Sequence, residues 1–123
     1  MDPRLTQFAG KRYLNLESYR KSGAAVRTPL WVAEEDGILY VYSVADAGKV
    51  KRIRNNARVK VVPCTLRGAP RGEWVEGRAE ILDAAGAAHG HQLLRRKYPM
   101  KRVGDFFARL RQRRHAVMAI RIV

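Results

Sequence analysis

Two apolar runs in the first half of the chain, Ala24 to Ala33 (AAVRTPLWVA) and Ile38 to Val44 (ILYVYSV), flank the polar tetrad Glu34-Glu35-Asp36-Gly37. An Asp-Gly pair between β-branched and aromatic runs is a strong short-range hairpin signal, so the pattern predicts two strands joined at that turn. Directly after the second run the period changes. Val50 and Ile53 lie one helical turn apart, and Asp46 can cap a short helix that runs to Arg54.

The same reading extends along the rest of the chain. Residues 2 to 9 predict a short helix with Asp2 as cap, Pro3 at its first position, and Leu5 and Phe8 on one side. Arg12 to Glu17 alternate, with Leu14 and Leu16 on one face and Tyr13, Asn15 and Glu17 on the other, before Lys21-Ser22-Gly23 turns the chain. Val59 to Cys64 is a further strand. A loop from Arg67 to Gly72, rich in turn formers, then leads to Trp74 to Leu82, where Val75, Gly77, Ala79 and Ile81 take one face. Asp83 caps a predicted helix from Ala84 to Tyr98, stopped by Pro99; Gly86 and Gly90 each weaken it by about 1 kcal/mol relative to alanine. Val103, Phe106, Phe107 and Leu110 mark another helix. Ala116 to Val123 reads as a closing strand with Met118, Ile120 and Ile122 inward and Arg121 outward. About six antiparallel strands with three or four peripheral helices predict a mainly β barrel, and 123 residues without a linker or repeat predict one domain over 1–123.

Charge narrows the list of partners. Twenty-five basic against eleven acidic residues give a net charge of +14, a surface that attracts nucleic acid, anionic membrane or a ligand with several phosphates or carboxylates. Cys64 is the single cysteine, which excludes an intramolecular disulfide and is read as a packing residue. The N-terminal residues carry no signal-peptide core and no segment reaches the ~18 apolar residues of a membrane span, so a soluble cytoplasmic protein with no membrane partner is expected. His89 and His91 are two apart on a predicted helix and point in different directions, and His115 has no partner nearby, so no metal site is expected. No nucleophile elbow, P-loop or dinucleotide fingerprint is present, and no catalytic side chain is assigned.

One junction does suggest chemistry. The strand ending at Ser43 empties into a helix N-terminus carrying Lys49, Lys51 and Arg52, where backbone N–H groups, the helix dipole and full charges can hold a phosphate, with the Ser43 hydroxyl beside them. The plain alternative is a solvated basic helix face. Pro29 removes a ladder donor and predicts an edge, a bulge or a ligand at that point. Trp31, Tyr40 and Tyr42 can equally be ordinary core or interface aromatics.

These residues carry a family resemblance. Val26, Thr28, Pro29, Leu30 and Trp31, then Asp36, Gly37, Leu39, Tyr40 and Val41, then Gly48 to Val59 form an ordered pattern. It continues through Val75 to Ala79 and Leu94 to Tyr98. It resembles the pyridoxamine 5'-phosphate oxidase-like split β-barrel flavoproteins, and within them the small deazaflavin-dependent branch. The resemblance implies a split barrel that binds FMN or coenzyme F420, with Val26, Arg27, Thr28 and Pro29 along the ring. Tyr42, Ser43, Lys49, Lys51 and Arg52 complete the implied cofactor-binding set. It also implies a homodimer with the cofactor at the interface and an oxidoreductase acting on a small organic substrate, the ring transferring hydride while the protein binds and orients. Ala57 stands where proline is frequent in the family. The chain also lacks, at Arg121-Ile122-Val123, the arginine-rich motif of true pyridoxamine phosphate oxidases, which argues against pyridoxal phosphate synthesis. Two alternatives remain. One is a carrier that binds the same cofactor without turnover. The other is a nucleic-acid-binding module using Lys49 to Arg54 and Arg109 to Arg114; aromatics are not interleaved with those clusters, so nucleic acid is not the expected partner.

Overall fold

The computed structural model describes residues 2–44, 48–97 and 115–123. Helix α1 spans Pro3–Thr6, and the Asp2 carboxylate accepts a hydrogen bond from the Arg4 amide at 2.9 Å, the cap expected from the sequence. Strands β1 (Tyr13–Tyr19) and β2 (Ala25–Trp31) form an antiparallel hairpin, with Gly23 at φ 91° in the turn between them. Strands β3 (Ala33–Glu35) and β4 (Ile38–Val44) follow, then helix α2 (Gly48–Asn55), β5 (Arg58–Cys64), β6 (Val75–Ile81), helix α3 (Ala84–Lys97) and β7 (His115–Ile122). The seven strands form one antiparallel sheet in the order β2-β1-β5-β6-β7-β4-β3.

The predicted hairpin is real but shorter than its first apolar run. Asp36 and Gly37, at φ 53° and 80°, make the tight β3–β4 turn, as a two-residue loop with left-handed central residues should. The run from Ala24 to Ala33, expected as one strand, breaks at Val32. Its first part pairs with β1 and its last with β4, at opposite margins of the sheet. That break is why seven strands appear where about six were expected. Val32 is buried at the crossing: its amide donates to the Arg12 carbonyl at 3.3 Å, and its carbonyl accepts from the Lys97 amine at 2.7 Å. The same amine reaches the Lys11 carbonyl, so the end of α3 ties down the crossing.

Inward-facing residues alternate along every strand. Leu14 and Leu16, Leu39 and Val41, Val59 and Val61, and Met118 and Ile120 build the main core, into which α2 sets Val50 and Ile53. Met118 and Ile120 therefore face inward and Arg121 outward, as the alternation predicts. β1 differs from expectation in being buried on both faces. Asn15 and Glu17 are 6% and 7% exposed: the loop after β5 meets Asn15, whose amide donates to the Gly68 carbonyl at 2.9 Å, while Tyr19 and Arg27 hydrogen-bond the Glu17 carboxylate. Cys64 lies in the same layer as a buried free thiol, pushed up in pKa by burial. On the outer side of β4 and β7, α3 packs Leu94 against Ala33, Tyr42 and Val117. Asp83 caps α3, accepting from the Gly86 amide at 2.9 Å. Gly90 marks its closest approach to the sheet: a Cβ there would meet Val117 Cγ1 at 2.5 Å.

The predicted Asp46 cap, the end of the helix at Tyr98, the helix around Val103 to Leu110 and the basic cluster Arg109 to Arg114 lie outside the described residues. Among the described residues no helix is long and apolar enough to cross a membrane, and no three histidine, cysteine or acidic side chains group as metal ligands.

Candidate cofactor site

The start of α2 is fixed by its apolar side. Val50 and Ile53, 0% and 3% exposed, anchor the helix in the core and leave its cationic residues at the rim. Arg52 Nε donates to the Ser18 hydroxyl at 2.7 Å, and Ser18 is itself buried on β1. The guanidinium folds back over the first turn. A Cβ on Gly48 would come within 2.9 Å of Arg52 Nη1, so glycine keeps that space open. Lys49 is half-buried, and its amine is held below the usual lysine range by burial first and by the Arg52 charge second. Arg52 is lowered likewise, by burial and then by Arg20.

Three cations thus converge on a helix N-terminus, itself positive, and among the described residues none of the three forms an ion pair with a carboxylate. No acidic residue occupies the first turn of α2. Lys49 and Arg52, each lowered by burial and by a neighbouring cation, want an anion, and the donor set, one ammonium and two guanidinium groups at a helix N-terminus, is that of a phosphate site. Lys51 is exposed on the same helix, and Ser43 is half-buried opposite Ala116 on β7.

Strand β2 lies at the margin of the sheet, which resolves the placement of Pro29: an edge strand tolerates a missing donor. The register places Val26 and Thr28 on the face shared with Ser18 and Leu16, and Arg27 and Pro29 on the face shared with Glu17 and Asn15. The four residues along the expected ring position are therefore divided between two faces. Val26 stands directly opposite Ser18, whose hydroxyl accepts from Arg52. Arg27 points the other way, donating to the Glu17 carboxylate at 3.0 Å with its guanidinium 4.7 Å over the Trp74 ring.

Glu17 sits in a small network of its own. Burial acts to raise its carboxyl, but hydrogen bonds from the Tyr19 hydroxyl at 2.7 Å and from Arg27 outweigh burial and hold it below the usual range. Tyr19 is pushed up to about 12 by burial and by the Glu17 hydrogen bond. A carboxylate depressed in the fold contributes stability that is complete above the unfolded pKa of about 4.3 and is lost as pH falls through the folded value. Thermal scans from about pH 6 to about pH 3 are expected to show Glu17→Gln losing less stability than the parent chain. Parallel losses for the two proteins would refute that role.

The sheet curls until β4 comes close to β2. Pro29, Leu30 and Trp31 of β2 and Tyr42 of β4 line one cleft with Tyr13 and Leu66, a space of about 170 Å³. Tyr42 is buried, its hydroxyl raised in pKa by that burial, and its ring meets His91 edge-on at 5.0 Å. The structure thus sets Val26 opposite Ser18, the hydrogen-bond partner of Arg52, toward one end of β2, and lines one cleft with Pro29 and Tyr42 toward the other. Three residue steps along the strand separate Val26 from Pro29 by about 10 Å. Sequence reasoning did not single out Arg20, Ser18, Tyr13 or Leu66. Ser18 continues the Leu14–Leu16 alternation and was in principle readable. Arg20 and Leu66 sit in turns, whose approach to other elements has no sequence period.

A seven-stranded antiparallel sheet curled into a half-barrel, with α3 packed on its outer side, has the same fold as solved split-barrel structures of the pyridoxamine 5'-phosphate oxidase-like type. Three solved structures show the likeness. One from Listeria innocua, provisionally assigned as a pyridoxamine 5'-phosphate oxidase, superposes with a TM-score of 0.67 at 12% identity over 96% of this chain and 89% of that one. A FAD-binding protein from Mesorhizobium loti gives 0.65 at 22% identity over 95% and 83%. An F420 reductase gives 0.63 at 15% identity over 100% and 95%. At such identities the likeness is one of fold. No protein-family model matches the sequence, and no curated protein does.

Proposed function

We propose that the chain binds a phosphorylated flavin-type cofactor, FMN or coenzyme F420, and acts as an oxidoreductase on a small organic substrate. The observation that carries this reading is the pair Lys49 and Arg52 at the start of α2, partly desolvated, with the exposed Arg20 beside them and no carboxylate paired to any of the three among the described residues. In this reading Lys49 and Arg52 hold the phosphate, and Gly48 leaves room for the Arg52 guanidinium. Ser18 fixes the Arg52 fork through the 2.7 Å hydrogen bond. The free edge of β2 presents its backbone to the ring, and the apolar cleft of Pro29, Trp31 and Tyr42 keeps water from the reacting face. The bound ring supplies hydride acceptance and donation; binding, orientation and exclusion of water fall to the protein. Arg27 belongs to the Glu17–Trp74 network in this reading and Lys51 to the solvated side of α2.

Fluorescence titration of the purified chain with FMN and with F420 tests the reading. Binding of one of them with a Kd below about 100 µM, near −5.5 kcal/mol, is expected. Failure of both to bind at that level removes the proposal. Turnover with the cofactor that binds, followed by its absorbance, separates an enzyme from a carrier.

A further inference from the structure

A second cationic feature lies on the opposite surface of the sheet. Arg58 of β5 stands directly opposite Arg78 of β6, and Arg78 directly opposite Arg121 of β7. Neighbouring strands are about 4.8 Å apart, so the three stems form a row about 10 Å long across the strands. All three residues are exposed, on the face away from the core. Like charges placed directly opposite one another destabilise a sheet, and no packing requirement demands arginine at solvent-facing positions. The two outer arginines are compensated: Arg58 pairs with Glu76, and Arg121 Nη1 with Glu80 Oε2 at 3.1 Å. Arg78, between them, has no carboxylate partner among the described residues. Beside it opens a hollow of about 380 Å³ lined by Arg58, Glu76, Gly77, Arg78 and Val123.

We propose that this row is an anion site separate from the start of α2, taking a compact oligophosphate with two or three neighbouring charged groups. Planar guanidinium forks bind phosphate oxygens in pairs, and three in a row on a rigid sheet present such forks at a fixed spacing. Glu76 and Glu80 stand two residues either side of Arg78 on the same face of β6, so they border the row. A long polyanion running along the strands would meet those carboxylates; a short one lying across the strands and into the hollow meets the arginines. The site stands independently of the cofactor reading, since α2 packs on the inner face with Val50 and Ile53.

The test is a thermal shift and calorimetric titration of the full chain with inorganic tripolyphosphate at about 150 mM salt, where loosely held surface charge is screened. In a Lys49→Ala background, which weakens the phosphate site at the start of α2, Arg78→Gln is expected to weaken binding at least tenfold and abolish the ligand-induced rise in Tm. Its ligand-free Tm at low salt should rise, because the opposed charges are relieved. Lys21→Gln, the same charge change at an exposed turn, should bind as the parent of that background does. A triglutamate peptide as a parallel ligand distinguishes phosphate from carboxylate; weaker binding than tripolyphosphate supports the assignment and tighter binding overturns it. Equal losses in Arg78→Gln and Lys21→Gln would mean that only net charge is being read, and unchanged binding in Arg78→Gln would remove the site.

Discussion

Replacing Lys49 by alanine is expected to weaken FMN or F420 binding by ten- to a hundredfold while leaving the ligand-free fold as stable as before or slightly more so. A charge-assisted hydrogen bond to an anion contributes about 1.5–3 kcal/mol, which is that range of affinity. The opposite sign for the empty protein follows from the surroundings of the amine. Lys49 is partly desolvated and faces Arg52, so its charge costs free energy until an anion arrives. Paired measurements, fluorescence titration for affinity and thermal denaturation without ligand, check both halves. Loss of stability without loss of affinity would make Lys49 a structural residue and undo the reading of the site. Arg52 is a poorer choice for this experiment, because removing it also orphans the buried Ser18 hydroxyl that accepts its hydrogen bond.

Gly90→Ala is expected to destabilise the fold by about 1–3 kcal/mol, lowering Tm by roughly 4–12 °C. Helix propensity argues for the reverse, a gain of about 1 kcal/mol, so the sign alone decides which effect governs the position. The clash is with Val117 Cγ1 at 2.5 Å, and Val117 is 0% exposed and β-branched on a central strand, with little freedom to give way. Tyr40 closes the other side at 3.4 Å. A stabilised variant would show that α3 can lift from the sheet at little cost, and would weaken the account of the second apolar cluster.

The same glycine shows what the sequence could and could not reveal. Read along the chain, Gly90 is a defect in a helix; only the placement of α3 across β4 and β7 makes it a requirement. Strand positions were legible wherever one face is apolar, as at Val75 to Ile81 and at Met118 and Ile120, because alternation with period two follows directly from burial of one side. The division of the run from Ala24 to Ala33 was not legible. Val32 is as apolar as its neighbours, and the break depends on which strands meet at each margin of the sheet, a property of topology. Likewise the motif around Lys49 to Ile53 was visible, with Val50 and Ile53 buried as the helical period demands. The partners that give the site its electrostatics, Ser18 and Arg20, come from a hairpin some thirty residues earlier and are joined to α2 only by the fold. Arg27 carried the right charge in the right motif, yet strand alternation turns it to the other face, toward Glu17 and Trp74.

The crossing at Val32 has a mechanical consequence. A half-barrel has a seam where its two margins face each other without ladder hydrogen bonds, and here the polypeptide itself steps over that seam between Trp31 and Ala33. The Lys97 ammonium, bonded to carbonyls on the crossing and on the segment leading into β1, acts as a rivet over the same gap. Widening the cleft beside Pro29 and Tyr42 therefore strains a covalent bridge and pulls on that rivet together, so the width of the opening is set at a point remote from the start of α2.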